Sequence, residues 1–566
     1  MLRAKKRKER TMSEQNTNEL REFSLLAPHK DGSYSRLSSD TENDLSVDFL
    51  VESISRNSGE RKVIKDILLD MPIDEKIISY RRAVYTELRE SPELCEKLYD
   101  IFDGMRFFTK DGQKRIEKGS TIWELLSKLK YLENYISSVI ELNNAIEGRE
   151  FVSEGMKRFA AYIKDICGNS GFGELLKDIE LVSDDIRHVR SITIGVNLDE
   201  NFYPMETGII ALNKFWFEEQ SMLKRFLKYH RKDQLNDEDL MAFSMEIPDD
   251  NMAESLNKYE RKYRGAARQP SANPLMNNLN SIIERMLPST TAKLRRVLHK
   301  YVDVSGYVLA DLADELLFYL RFIELEKQLT ASGVPCCIGE SSDGDTVFRD
   351  FYNVKLAICH GKGTVEEEIV CNDLEFTREK TVNILTGPNR GGKTIFTQGV
   401  GLAFLLYQSG VFVPASSARV RLCDGIYTHF PVEEERTVSL GRLGEEAERF
   451  NEICKKATGS SLLLFNESFA TTSHTESVYI AEDVLRYLCC IGARTFFNTH
   501  MHELADDTDK FNKAEGAICK AVSVVMENDG GKRSYKISYK APDGKSYAHE
   551  IAYKYGITFE QLMEQR

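Results

Sequence analysis

Gly387, Gly391, Gly392, Lys393 and Thr394 have the types and spacing of a phosphate-binding loop. The run Thr386-Gly387-Pro388-Asn389-Arg390-Gly391-Gly392-Lys393-Thr394 satisfies G-x-x-x-x-G-K-[ST]. Glycines let successive backbone N–H groups curl round an anion, the lysine reaches β- and γ-phosphate oxygens, and a hydroxyl at the helix start holds Mg²⁺. The run predicts a nucleoside triphosphate with Mg²⁺, bound by Gly387 to Thr394. That chemistry needs a strand before the loop and a helix after it. Val382-Asn383-Ile384-Leu385 supplies the apolar strand and Ile395 to Tyr407 reads as the helix.

Two further strand ends deliver polar groups. The run Leu462-Leu463-Leu464-Phe465 ends in Asn466-Glu467, and Thr495-Phe496-Phe497-Asn498 leads to Thr499-His500. A carboxylate directly after a buried strand suits general-base activation of water, so Glu467 is the expected base. The preceding position, often an acid that helps to hold Mg²⁺ through water, is here Asn466. It accepts hydrogen bonds but carries no charge. Alone, a histidine after a strand is more often structural, but together with the phosphate loop and Glu467 in this order His500 is placed to sense the γ-phosphate.

These groups must be positioned by a chain of 566 residues, enough for about three or four domains. Hydrophobic residues make up 42 % and charged residues 29 %, ordinary globular usage, and no apolar run reaches the ~18 residues of a membrane helix. A soluble, cytoplasmic protein is expected. The 11 cysteines form no C-x-x-C pair, which argues against a zinc site or a disulfide framework. The basic N-terminus lacks the apolar segment of a secretory signal.

Residues 1–44 are polar and predict a disordered tail. Over 45–345 apolar residues recur at helical steps, as in Leu309, Leu312, Leu316, Tyr319, Leu320 and Ile323, interrupted by a β-hairpin over Ser191–Val196 and Thr207–Leu212. From Thr346 strands alternate with helices, which predicts a parallel sheet with crossover helices over 346–566.

Four sets of residues together resemble the ATPase domain of the MutS family of DNA mismatch-repair proteins. They are Gly387 to Thr394, Val413-Pro414-Ala415, Asn466-Glu467, and Thr499-His500-Met501-His502-Glu503-Leu504 with its T-H-x-x-E-L ending. The likeness runs from about Ala357 to the C-terminus, where Ser546 to Ala552 is similar to the family's closing S-Y-G-x-x-V-A segment. The resemblance implies a multidomain protein: a mainly α-helical lever and clamp region, then an ABC-type α/β P-loop ATPase closed by C-terminal dimerisation helices. It also implies a homodimer in which each ATP lies between the P-loop of one subunit and a signature loop of the other. That loop should be Thr437 to Glu446, with Ser439 and Gly441 near the neighbour's γ-phosphate. The same residues also suit an ordinary helix-capping loop.

The chain departs from the family in three places. Gly441-Arg442 stands where Ser-Thr is usual, Phe469-Ala470-Thr471-Thr472-Ser473 replaces G-R-G-T-S, and Asn466 replaces an acid. The family's mismatch-reading F-x-E domain and the Smr domain of another branch are not expected here.

A net charge of −13 disfavours indiscriminate nucleic-acid binding. Two local clusters still suit phosphate contacts, one with Arg225, Lys228, Arg231 and Lys232 and one with Arg261, Lys262 and Arg264. They fit the solvated flanks of a helical hairpin equally well. Two functions follow: an ATP-hydrolysing DNA clamp acting in repair or recombination, or a nucleotide-gated scaffold with little hydrolysis.

Overall fold

The computed structural model describes residues 24–29, 32–105, 120–187, 191–213, 288–301, 304, 307–388, 391–431, 442–469, 473–529, 532–542 and 559–564. Elements run from strand β1 (Tyr34–Arg36) through helices α1 (Ser39–Asp44), α2 (Val47–Ile54) and α3 (Ser58–Leu69) to strand β2 (Asp70–Pro72). Helices α4 (Glu75–Arg89), α5 (Pro92–Met105), α6 (Ile122–Ile146), α7 (Glu154–Gly168) and α8 (Ser170–Arg187) follow. The hairpin β3 (Ser191–Leu198) and β4 (Pro204–Asn213) precedes helices α9 (Pro288–Lys300) and α10 (Tyr307–Ala331).

Strands then dominate: β5 (Glu340–Ser341), β6 (Thr346–Phe351), helix α11 (Val354–Gly361), β7 (Asn372–Phe376), β8 (Val382–Thr386) and helix α12 (Lys393–Gln408). They continue with β9 (Ser417–Val420), β10 (Ile426–His429), helix α13 (Arg442–Lys456), β11 (Leu462–Asn466), helix α14 (His474–Ile491) and β12 (Arg494–Asn498). Helices α15 (His502–Asp506) and α16 (Asp509–Asn512), strands β13 (Ala521–Asp529) and β14 (Lys532–Ser538), and helix α17 (Phe559–Glu564) complete the described chain.

The backbone divides into two compact units, one of residues 1–100, 146–162 and 311–566 and one of 101–145 and 163–310. This differs from the sequence-contiguous division expected at 44 and 345. Contacts between residues far apart in sequence put the N-terminal elements in the same unit as the sheets. The second unit buries Leu125, Leu129 and Leu132 of α6 against Leu175 and Ile179 of α8 and Leu294 and Leu298 of α9. Its strands β3 and β4 pair antiparallel from Ser191↔Asn213 to Leu198↔Pro204.

The first unit holds a six-stranded sheet in the order β10-β11-β12-β8-β13-β14, parallel except for β14, which runs antiparallel to β13. Strands β8, β11 and β12 are buried at every position, the pattern of strands covered on both faces. A second sheet corrects the expectation of a single parallel one. Its order is β5-β9-β6-β7, and β6 is antiparallel to both of its neighbours. Burial alternates along β7 and β9, and along β6 up to the register shift between Phe348 and Phe351, as it does in strands with one wet face. Rings join the sheets through α12: Phe396 lies 5.6 Å from Phe351 and 5.4 Å from Phe496, and Phe404 lies 5.7 Å from Phe348.

The expected tail to residue 44 is also corrected, because its C-terminal part is built into this unit. Leu25 is fully buried and residues 39–44 form α1 against β10. The Asp44 carboxylate accepts from Thr428 Oγ1 at 2.7 Å, from Arg449 at 2.9 Å and from the Phe430 N–H at 3.3 Å.

Candidate nucleotide site

Strand β8 ends at Thr386 and α12 begins at Lys393, so the loop between them opens at the helix N-terminus. Gly387 has φ +147° and Gly392 φ +98°, conformations that side chains resist. A Cβ on Gly387 would lie 2.8 Å from Met526 Cβ, and one on Gly392 3.1 Å from the Tyr535 ring. The β13–β14 hairpin therefore packs on the loop, a contact not foreseen from sequence.

Lys393 is 4 % exposed, and its ammonium donates to the carbonyls of Gly387 at 2.9 Å and Pro388 at 3.3 Å. Burial pushes it down to about 8, opposed by the Glu467 carboxylate. A triphosphate oxygen would replace neutral carbonyls by an anionic partner, the stronger acceptor.

Three strand ends meet beside it, since Asn466 is in register with Asn498 and Asn498 with Leu385. Thr394 Oγ1 donates to Asn466 Oδ1 at 3.0 Å, and Asn498 Nδ2 donates to the same oxygen at 3.0 Å. Thr397 Oγ1 in turn donates to Asn498 Oδ1 at 3.0 Å. This chain of bonds sets the orientation of both amides and leaves Asn466 presenting a carbonyl oxygen to Thr394. Asn498 and Thr397 were missed from sequence, although two apolar strands each ending in asparagine were a usable signal. The donor set fits Mg²⁺ held largely through water: two neutral oxygens, with the Glu467 carboxylate next along the chain.

Glu467 sits in the left-handed region at φ +51°, and its N–H donates to the Asn498 carbonyl at 2.9 Å. Its Oε1 is 2.6 Å from His500 Nε2. That hydrogen bond holds the carboxyl below its usual value against partial burial, helped by the charges of His500 and Lys393. Glu467 is thus an ionised acceptor at neutral pH, in contact with the residue expected to sense phosphate. A pocket of about 490 Å³ is lined by Lys393, Thr394 and Glu467 together with Leu356, Val370 and Tyr535, so apolar surface adjoins the phosphate cradle.

Of the expected site residues, the structure brings together Gly387, Pro388, Gly391, Gly392, Lys393, Thr394, Asn466, Glu467 and His500. Asn389, Arg390, Ser439 and Gly441 lie outside the described residues. So do Arg225, Lys228, Arg231, Lys232, Arg261, Lys262 and Arg264, and the closing segment Ser546 to Ala552.

Comparison with known families fixes the lineage. The MutS domain V model matches residues 383–563, and the MutS2 N-terminal domain model matches residues 73–332. This chain is a MutS-family protein. It is similar to the DNA mismatch repair protein MutS of Caldanaerobacter subterraneus, 25% identical over 516 residues, which is 86% of this chain and 55% of the relative. It is similar to the MutS of Streptococcus equi, 27% identical over 43% of this chain and 29% of the relative. The Endonuclease MutS2 of the same strain is 32% identical over 36% of this chain and 25% of the relative. The matches to these MutS-family relatives thus span about half or less of each relative's length. Among the described residues, no helix is long and apolar enough to cross a membrane.

Proposed function

We propose that this MutS-family protein binds ATP with Mg²⁺ and hydrolyses it at an ABC-type homodimer interface, and that its nucleotide state opens or closes a clamp on DNA in repair or recombination. The observation that carries the reading is the Glu467–His500 pair at 2.6 Å beside the Lys393 loop. Lys393 neutralises β- and γ-phosphate oxygens. Glu467 accepts a proton from the attacking water while His500 fixes its carboxylate and reaches the terminal phosphate. Mg²⁺, when bound through Thr394 and Asn466, supplies charge that offsets the phosphates. Ser439 and Gly441 complete the partner's site, and Arg225, Lys228, Arg231, Lys232, Arg261, Lys262 and Arg264 contact DNA phosphates. The relatives' names, mismatch repair proteins among them, support the DNA reading. Free cysteines throughout suit a cytoplasmic protein.

The test is steady-state ATPase with and without duplex, branched and single-stranded DNA. Turnover stimulated by one of these DNAs is the expected result. The neutral Asn466–Asn498 pair favours a second reading, a nucleotide-gated scaffold, which tight ATP binding without turnover or DNA affinity would establish.

A further inference from the structure

The segment that carries Glu467 is strained. Glu467 has φ +51° and Phe469 φ +65°, both in the left-handed region that residues with side chains occupy only when their surroundings hold them. Ser468 and Phe469, the two residues after the proposed base, share one buried neighbour, His429 at the end of β10.

The His429 ring is 3 % exposed. Its Nδ1 lies 2.8 Å from the Ser468 hydroxyl, which also approaches the His429 carbonyl at 3.4 Å. The same ring stacks on Phe469 at 6.0 Å and 26°. Phe450 of α13 meets both rings edge-on, 6.3 Å from His429 and 5.3 Å from Phe469. Burial, aided by the Arg449 charge, pushes the imidazole down to about 4 against the opposing Glu446 backbone, so the ring is neutral at physiological pH. Both Arg449 and Phe450 belong to α13, the helix that continues the proposed signature segment Thr437 to Glu446.

We infer that His429 is a positioning residue for Glu467: through Ser468 and Phe469 it holds the strained turn, and it ties that turn to α13. The inference rests on Glu467 being the base, as proposed above. Without the Nδ1 contact the turn relaxes toward ordinary φ values and the Glu467 carboxylate leaves His500. ATP binding through the Lys393 loop is untouched.

The experiment uses the full-length protein and the variants His429→Phe, which keeps a stacking ring, His429→Asn, which keeps a polar group near Nδ1, and Ser468→Ala. Expected for His429→Phe and Ser468→Ala are a turnover lower by about tenfold or more, the usual weight of a misplaced catalytic group. ATP affinity by calorimetry should stay within about twofold, and amide exchange at 467–469 should be faster than wild type. His429→Asn should recover most of the turnover.

Wild-type turnover in both His429→Phe and Ser468→Ala would overturn the inference. So would a loss of turnover matched by equal losses of ATP affinity and melting temperature, the mark of a packing residue only. If the wild type itself does not hydrolyse ATP, the hydrolysis reading falls and exchange decides the positioning role: faster exchange in the two variants upholds it, unchanged exchange overturns it.

Discussion

The hydroxyl of Thr394 donates to Asn466 Oδ1 at 3.0 Å, which joins the first turn of the phosphate-loop helix to the end of β11 where an acid would be usual. The same oxygen already accepts from Asn498 Nδ2. An aspartate could therefore occupy this place without moving: one oxygen would keep both donors and the other would replace the amide nitrogen. Asn466→Asp should lower the Mg²⁺ concentration that gives half-maximal hydrolysis. A Mg²⁺ titration of both proteins decides it, and an unchanged or rightward-shifted curve sinks the idea of a weakened metal position.

Asn498→Ala removes the group that orients Asn466 and also strips Thr397 of its acceptor, both within a buried network. The expected cost is about 1–3 kcal/mol of stability, read by urea unfolding. A higher Mg²⁺ requirement should accompany it. Loss of stability with an unchanged Mg²⁺ curve would limit Asn498 to the core.

Lys393→Ala should weaken ATP binding by at least on the order of 100-fold, because two or more charge-assisted bonds of about 1.5–3 kcal/mol each are lost. Wild-type affinity in calorimetry would refute the loop assignment. The buried ammonium adds a protonic signature. Its value near 8 without nucleotide means that a fraction of the lysine is neutral at pH 8.5, and an anionic ligand favours the charged form. ATP binding at that pH should take up protons and weaken as pH rises through about 8. Equal binding heats in two buffers of different ionisation enthalpy would contradict this.

Glu467→Gln should leave ATP bound and slow turnover by roughly 10²-fold or more, the weight of a general base. Trapped nucleotide should hold two subunits together in light scattering. Unchanged turnover with no ATP-dependent gain in mass counts against both the base and the dimer.

The local parts of this site could be read from residue order alone. The strand before Gly387, the helix after Thr394 and the strand ends at Asn466 and Asn498 follow from apolar runs and glycine chemistry. Pairing could not: that Asn466 meets Asn498 depends on the register of β11 with β12. The second sheet was obscured because α11 lies between β6 and β7, which mimics a parallel crossover. His429 gave no signal, since its value lies in touching residues 39 positions away. The polar run before Leu45 looked unstructured because α1 has no apolar face of its own to bury.

That short helix decides how the ATP-binding half can be handled. Among the described residues, strand β10 has a strand neighbour on one side only. On α1, Thr41 donates to the Ile426 carbonyl, and Asp44 receives the Phe430 N–H just beyond the strand. A fragment begun at residue 346 would carry the phosphate loop and Glu467 yet leave this border bare, a template for pairing with another chain. Portability of the half that carries the phosphate loop depends on carrying residues 39–54 with it, and solubility of the two fragments side by side would reveal the difference.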